Sequence, residues 1–272
     1  MTIAVVGGAG YIGAHVVRLL AARGEQVVVV DDLSTGRADR VAGVPLTVVD
    51  VAGRGAEDAL TDLFIDARVR AVVHLAGAPD VPLVTEDVAP APVNPYGETK
   101  LVGEWLGRAA ARAWRLRFLA LRYFNVAGTG WPELADTHAL NLVPMVLERL
   151  DRGLPPQVFG ADYATPDGTC VRDFVHVLDL ADAHLAALDH LDRDERTDDV
   201  LNVGTGVGAS VRQVLAEVAR TTGCDQPAEV LPRRPGDPPA LVASTERFTA
   251  ATGWRAQRGL REIVESAARA RA

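Results

Sequence analysis

The stretch "IAVVGGAGYIGAH" (Ile3–His15) constrains the fold more than any other part of the chain. A short apolar run stops at Gly7, Gly10 and Gly13, and helical spacing of apolar residues begins at once in "YIGAHVVRLLAARGE", which ends at Gly24. Glycine lets the backbone turn tightly from strand to helix, and it leaves room for a ligand against the helix N-terminus. Three more apolar runs follow within 75 residues: "QVVVVDD", "PLTVVD" and "RAVVHLAG". They are continuous rather than alternating, so both faces of each strand are covered. The pattern predicts an α/β fold, a Rossmann-like doubly wound parallel sheet.

Downstream, "YGETKLVGEWLGRAAARAW" reads as a helix and "RFLALRYFNVAG" as the strand after it. From about Gly130 prolines and short elements dominate, which suggests a second lobe. The expected division is 1–128 plus about 173–205 for the sheet domain, and about 129–172 plus 206–272 for the lobe. "DFVHVLDLADAHLAALDHL" is expected to be helical from about Val177, "VLNVG" to be a further strand, and 192–199 a solvated charged loop. The tail 258–272 reads as an arginine-rich surface helix. A net charge of −8 argues against nucleic acid or an anionic membrane as partner. No apolar run approaches the roughly 18 residues of a membrane span, and the N-terminus reads as structure rather than an address, so a cytoplasmic protein is expected. Cys170 and Cys224 form neither a disulfide framework nor a metal-binding spacing, and no metal is expected.

Two features carry chemistry. Asp31 ends the second apolar run about 20 residues after the glycines, where a carboxylate takes the ribose diol of a dinucleotide and repels a 2′-phosphate. NAD is therefore expected over NADP. Asp50, ending the third run, is either an adenine-site residue or a turn aspartate. The second feature is Tyr96 with Lys100, one helical turn apart. Lys100 is the single lysine among 28 basic residues. A compact ammonium beside a phenol favours the phenolate and makes a general acid/base, a task arginine's planar fork does not fit.

With "GGAGYIGAH", "DDLSTG", "HLAG", "NPYGETK", "LRYFNVAG", "NLVP", "DGTCVRD", "LNVGTGVGASV" and "RRPGDPPALVAS", the chain resembles the extended short-chain dehydrogenase/reductases, and within them the UDP-glucose (UDP-galactose) 4-epimerases. The resemblance implies a smaller C-terminal substrate-binding lobe and a UDP-hexose substrate, inverted at C4 through a transient 4-keto sugar, with NAD as a bound prosthetic group. It implies Tyr96 and Lys100 as catalytic residues, and cofactor contacts from Gly7, Gly10, Tyr11, Ile12, Gly13, Asp31, Asp50, Val51, Leu75, Ala76, Gly77, Tyr96, Lys100 and Tyr123. Asn125 and Arg172 would face the diphosphate, and Asn141, Leu142 and Phe159 the uridine. Arg234 would pair with phosphate and Asp237 with the uridine ribose. Plainer readings stand beside these. Arg172 could form a structural ion pair with Asp173, Arg233 and Arg234 could be solvated charge, and His176 and His184 read as packed or capping residues.

The same resemblance exposes a gap. Such proteins carry a helix and a strand between "HLAG" and "VPLVTED", on the order of 30 residues or more, which this chain lacks between Gly77 and Asp80. The lost strand bears the Ser/Thr hydroxyl near the catalytic tyrosine, and the lost helix supplies part of the usual homodimer contact. Thr85 is the hydroxyl residue left in the gap, and it is not expected to substitute. Two geometries follow. Either "FLALRYFN" closes against "AVVHLAG", shifting everything after it by roughly 4.8 Å, or the 18 residues Ala78–Pro95 cross a vacant strand position, for which a reach of up to about 60 Å suffices. A non-catalytic NAD- or nucleotide-sugar-binding remnant, and another sugar-nucleotide modifier such as a dehydratase, are the rival functions.

Overall fold

A computed structural model describes residues 2–51, 53, 55–75, 85–88, 90, 95–137, 141–193, 198–234 and 236–271, with the side chains of Pro95, Tyr96 and Asp198 outside the description. The N-terminal part is built from β1 (Thr2–Val6), α1 (Tyr11–Ala22), β2 (Gln26–Asp31), β3 (Leu46–Val48), α2 (Ala56–Asp66) and β4 (Val69–His74). These strands form one parallel sheet in the order β3-β2-β1-β4. The four apolar runs of the sequence are these four strands. β1 is central, and its Ile3, Ala4 and Val5 are fully buried.

The chain continues through α3 (Pro95–Trp114), β5 (Phe118–Tyr123), β6 (Asn125–Ala127), α4 (Leu142–Asp151), β7 (Gln157–Phe159), β8 (Val171–His176) and α5 (Val177–Arg193). It ends with β9 (Asp198–Val203), β10 (Gly208–Ser210), α6 (Val211–Thr222), β11 (Glu229–Leu231), β12 (Ala240–Leu241), α7 (Glu246–Thr252) and α8 (Leu260–Arg269). The expected single strand "RFLALRYFNVAG" breaks at Phe124: β5 pairs in parallel with β9, while β6 pairs with β8. β8 also carries β10 and β12 on its edges, and β7 pairs with β11. The expected charged loop 192–199 is shorter than the sequence suggests, because Asp192 and Arg193 finish α5 and Asp198 opens β9. The tail helix α8 is not a mere surface helix: Ile263 and Val264 are fully buried against α4 and α6 residues.

Among the described residues β4 pairs with β1 alone and β5 with β9 alone. Among the described residues no pairing joins the two half-sheets, so β5 is not closed directly against β4. A cleft of about 530 Å³ lies between them, bounded by Val72 and His74 of β4, Leu121 of β5, Lys100 and Glu104 of α3, and Ala187 of α5. The first described residues after the seam are already on its far side. The Glu86 carboxylate accepts from the Asn202 amide of β9 at 2.8 Å, and Arg247 of α7 pairs with Asp87.

Helix α5 joins the halves. Ala181, Leu185 and Leu188 pack in the core of β1, β2 and α1, whereas Leu180, Ala183 and Ala187 pack in the core of β5, β6 and β9. These spacings place two apolar stripes side by side on one helix. At its end Asp192 pairs with Arg70 of β4 at 2.7 Å and approaches Arg117, just before β5, at 3.8 Å.

Two histidines tie loops to this frame in their neutral form. His15 Nε2 accepts from the Gly130 amide at 3.0 Å and its Nδ1 lies 2.9 Å from the Tyr11 carbonyl. His176 Nδ1 accepts from the Leu178 amide at 3.0 Å, capping α5, with Nε2 at 3.0 Å from Ser266 Oγ. Each ring needs a bare nitrogen, and burial holds both pKa values at about 4. The folded value lies below the ordinary 6.5, so protonation favours the unfolded chain. Stability is complete above pH 6.5 and declines as pH falls toward 4. Urea midpoints measured across that window should fall steadily. His176→Asn, which keeps an acceptor at the cap, should make the decline shallower; an unchanged slope would contradict this assignment.

Candidate functional site

The glycine turn is closed on itself. Gly7 has φ +77°, and a Cβ on Gly13 would lie 2.1 Å from the Gly7 carbonyl oxygen and 2.7 Å from Gly8 Cα. Gly10 caps α1 with extended backbone, and neither a side-chain cap nor an acidic residue occupies the first turn. The partly positive end of α1 is thus presented over a surface without side chains, which suits a pyrophosphate. Asp31 is buried, and its two carboxylate oxygens accept from the Ala9 and Leu33 amides, each at 2.9 Å. This locks the glycine turn to the end of β2 and holds Leu33 at φ 60°, a left-handed conformation that a bulky residue rarely adopts. Each oxygen retains a lone pair for a diol.

The side chains of Tyr11 and Ile12 are committed elsewhere. The Tyr11 hydroxyl donates to the Gly128 carbonyl, its ring stands edge-on to His15, and Ile12 packs into both cores flanking α5. Asp50 and Val51 form an exposed rim after β3. Leu75 packs on the first core. Ala76 and Gly77 lie outside the described residues.

The α3 helix begins at Pro95, so Tyr96 is in its first turn and Lys100 one turn further. Lys100 lines the cleft with His74 and Tyr123. Burial pulls the Lys100 ammonium below its ordinary pKa. Burial and then the Lys100 charge lower His74, keeping it neutral. Tyr123 tilts against His184, whose Nδ1 is 2.8 Å from the Leu180 carbonyl, so His184 is a packed residue and His176 a cap, as the sequence suggested.

Sequence reasoning missed the brace under α3. Glu104 and Arg122 of β5 make two parallel hydrogen bonds, Nε to Oε2 at 3.1 Å and Nη2 to Oε1 at 3.0 Å, with both side chains nearly buried. Lys100, Glu104 and Arg108 follow at i, i+4 and i+8 on one helix face, which was the available signal.

The residues predicted to face the nucleotide gather around β7 and β8 and their neighbours β11 and β12. Arg172 donates to the Val171 and Pro238 carbonyls at 2.9 Å and faces Asp237 at 3.5 Å. The Arg234 guanidinium stacks on the Phe159 ring at 3.9 Å. Arg172, Arg234, Asp237 and Phe159, separated in sequence, thus form linked pairs. Arg172 does not pair with Asp173, whose carboxylate is taken up by Thr205, Gly206 and the Ala243 amide. Arg233 is not plain solvated charge either, since it pairs with Asp162 at 2.7 Å and covers Tyr163. Asn125 opens β6 beside Phe174 of β8, two residues from Arg172. Asn141 is the N-cap residue of α4, making no side-chain capping bond, and Leu142 is its first residue.

The model of the NAD dependent epimerase/dehydratase family matches residues 3–87 and 79–204. The chain belongs to that family. A UDP-glucose 4-epimerase of Azospirillum brasilense is 38% identical, with 92% of this chain and 86% of the relative covered. The crystal structure of UDP-glucose 4-epimerase from Brucella ovis in complex with NAD superimposes with a TM-score of 0.90 at 32% identity, covering 98% of this chain and 97% of that one. The enzyme from Bifidobacterium longum in complex with NAD+ and UDP gives a TM-score of 0.86 at 28% identity, with 98% and 97% covered. The family match falls in two pieces that overlap over residues 79–87. The Azospirillum alignment runs over 304 positions, more than the 272 residues of this chain, so the relative carries residues without counterparts in it.

The brace is testable apart from activity. Glu104→Ala leaves the Arg122 guanidinium without its carboxylate and should cost on the order of 3 kcal/mol in urea unfolding. The paired replacement Glu104→Leu with Arg122→Met should recover most of it.

Proposed function

We propose that this chain is an NAD-dependent epimerase that interconverts UDP-glucose and UDP-galactose. The observation that carries the reading is the side-chain-free cradle over the α1 N-terminus, with Asp31 at the next strand end, in a chain that matches UDP-glucose 4-epimerases along 92% of its length. The cradle fits the cofactor because its tight turn, in which a Cβ at Gly13 would strike the Gly7 carbonyl oxygen and Gly8 Cα, leaves the α1 N-terminus without a side-chain cap. Asp31 would hold the adenosine ribose, Asp50 and Val51 would border the adenine, and the Tyr11, Ile12 and Gly13 amides would face the pyrophosphate. When bound, NAD supplies a hydride acceptor and donor for the sugar C4.

The chain's own residues do the rest. Tyr96 takes and returns the proton of the sugar O4. Lys100, an ammonium in a partly desolvated setting, favours the phenolate by its charge. Arg172 and Arg234 take the diphosphate in place of their present partners, since guanidinium forks match phosphate oxygens. Asn125 would add a donor there. Phe159 supports the flat uracil, with Asn141 and Leu142 beside it, and Asp237 accepts from the uridine ribose. Holding the nucleotide in the lobe leaves the sugar free to turn over and present its other face. The lobes divide as 1–128 plus about 173–205 and about 129–172 plus 206–272. A cytoplasmic homodimer, using the exposed α3 residues Val102, Trp105 and Leu106, completes the reading.

Proton NMR of UDP-galactose incubated with the purified chain should show UDP-glucose forming. Tyr96→Phe should lower the rate by on the order of a thousandfold, and Lys100→Arg should not preserve it. Full activity in Tyr96→Phe would sink the mechanism, and release of a 4-keto sugar would make the chain a dehydratase. Gly13→Ala should purify without NAD, because the clash is with backbone; retained cofactor would contradict the cradle.

A further inference from the structure

Asp173 of β8 is fully buried, yet among the described residues its hydrogen-bond donors are all uncharged. Oδ1 accepts from the Thr205 amide at 2.9 Å and the Thr205 hydroxyl at 2.6 Å. Oδ2 accepts from the Gly206 amide at 2.9 Å and the Ala243 amide at 3.2 Å. A carboxylate offers about four lone-pair sites, and these four donors fill them. Burying a charge is costly unless such donors replace its water. The group clamps two separate segments to β8: the turn 204–206 after β9, and the chain that leaves β12. The fit has no slack, since a Cβ on Gly204 would lie 2.6 Å from Asp173 Oδ2 and 2.7 Å from Ala243 Cβ.

The clamped chain carries nucleotide-facing residues. β12 pairs with β8 through Ala240 opposite Val171 and Leu241 opposite Arg172. Just before β12 the Pro239 carbonyl accepts from the Val171 amide and the Pro238 carbonyl from Arg172, each at 2.9 Å. One residue further back, Asp237 faces Arg172 at 3.5 Å. Adjacent residues of a strand point to opposite faces, so Arg172 stands on one side of β8 and the clamp on the other. We propose that Asp173 is a positioning residue for nucleotide recognition. Its carboxylate fixes the register of the segment 237–243 on β8, and with it the spacing of Arg172 and Asp237. The inference rests on the reading that these two residues take the UDP moiety. The glycine cradle and Tyr96 belong to other elements, so cofactor binding and proton transfer do not depend on the clamp.

The test is calorimetric titration of the full chain with UDP, beside KM and kcat for UDP-galactose. Asp173→Asn keeps the shape but turns one acceptor into a donor, which faces an N–H on whichever side it is placed. UDP should bind more than roughly tenfold more weakly and KM should rise to match, while kcat stays within about twofold and bound NAD is unchanged. Gly204→Ala strains the same clamp with Asp173 in place, and should weaken UDP binding in the same direction. Thr205→Ser keeps every donor and should bind UDP as the parent does. Asp179, also buried, holds the Gln257 and Arg258 amides away from β12. Asp179→Asn should lower the urea midpoint without changing UDP affinity; an equal loss there would make the Asp173 effect one of general stability and overturn the proposal. Unchanged UDP affinity in both Asp173→Asn and Gly204→Ala would overturn it while leaving the nucleotide reading intact. Failure of the unaltered chain to bind UDP at millimolar concentration would overturn that reading and the proposal together.

Discussion

The packing of α5 against two separate half-sheets is the interaction on which the rest of the molecule depends. In a continuous parallel sheet the backbone ladder fixes each strand relative to the next. Among the described residues of this chain no ladder joins β4 to β5, and a helix packs on both. One stripe of α5 serves the core around β1 and the other the core around β5 and β9. Each of the leucines buried in this way, Leu180, Leu185 and Leu188, contributes roughly 1.5–3 kcal/mol. That is enough for several of them to hold the halves without the hydrogen bonds of a further strand. Asp192, shared between Arg70 and Arg117, adds a tether at the far end of the cleft.

This arrangement explains how the glycine cradle and the helix carrying Tyr96 and Lys100 are held on one frame although the chain between β4 and α3 is short. The cradle belongs to the first half-sheet and α3 to the second. The Glu104–Arg122 brace fixes α3 on β5, and Glu86 fixes the incoming chain on β9. Tyr11 and His15 reach back to Gly128 and Gly130, so the glycine turn is tied to the second half as well. Closing β5 onto β4 would have moved α3 by a strand spacing, and misplacement of about 1 Å can already cost roughly a hundredfold in rate. Among the described residues β5 is not closed onto β4, which spares α3 that displacement.

Much of this was legible in the sequence because it is local. Continuous apolar runs marked the four strands of the first half-sheet, and the glycine triplet with Asp31 marked the cradle, where each residue acts through a backbone need of its own. The single lysine marked α3. Long-range choices were not legible. Nothing in "RFLALRYFNVAG" says that it leaves one sheet at Phe124 and joins another, since both halves are apolar. Arg172 has an aspartate next to it in sequence, yet adjacent residues of a strand point to opposite faces, and its partner is Asp237. The tail helix looked solvated because arginines mask the pair Ile263–Val264, which only the packing of α4 and α6 reveals.

The division of the sheet is the central claim, and hydrogen–deuterium exchange on the free chain measures it strand by strand. Amides of β1, paired on both sides, should exchange slowly. β4 and β5 should each contain a fast-exchanging set, the amides that face the cleft, beside a slow set that faces β1 or β9. Uniform slow exchange through β4 and β5, matching β1, would mean that the two strands are paired and the sheet is continuous, which contradicts the divided sheet and the bridging role of α5.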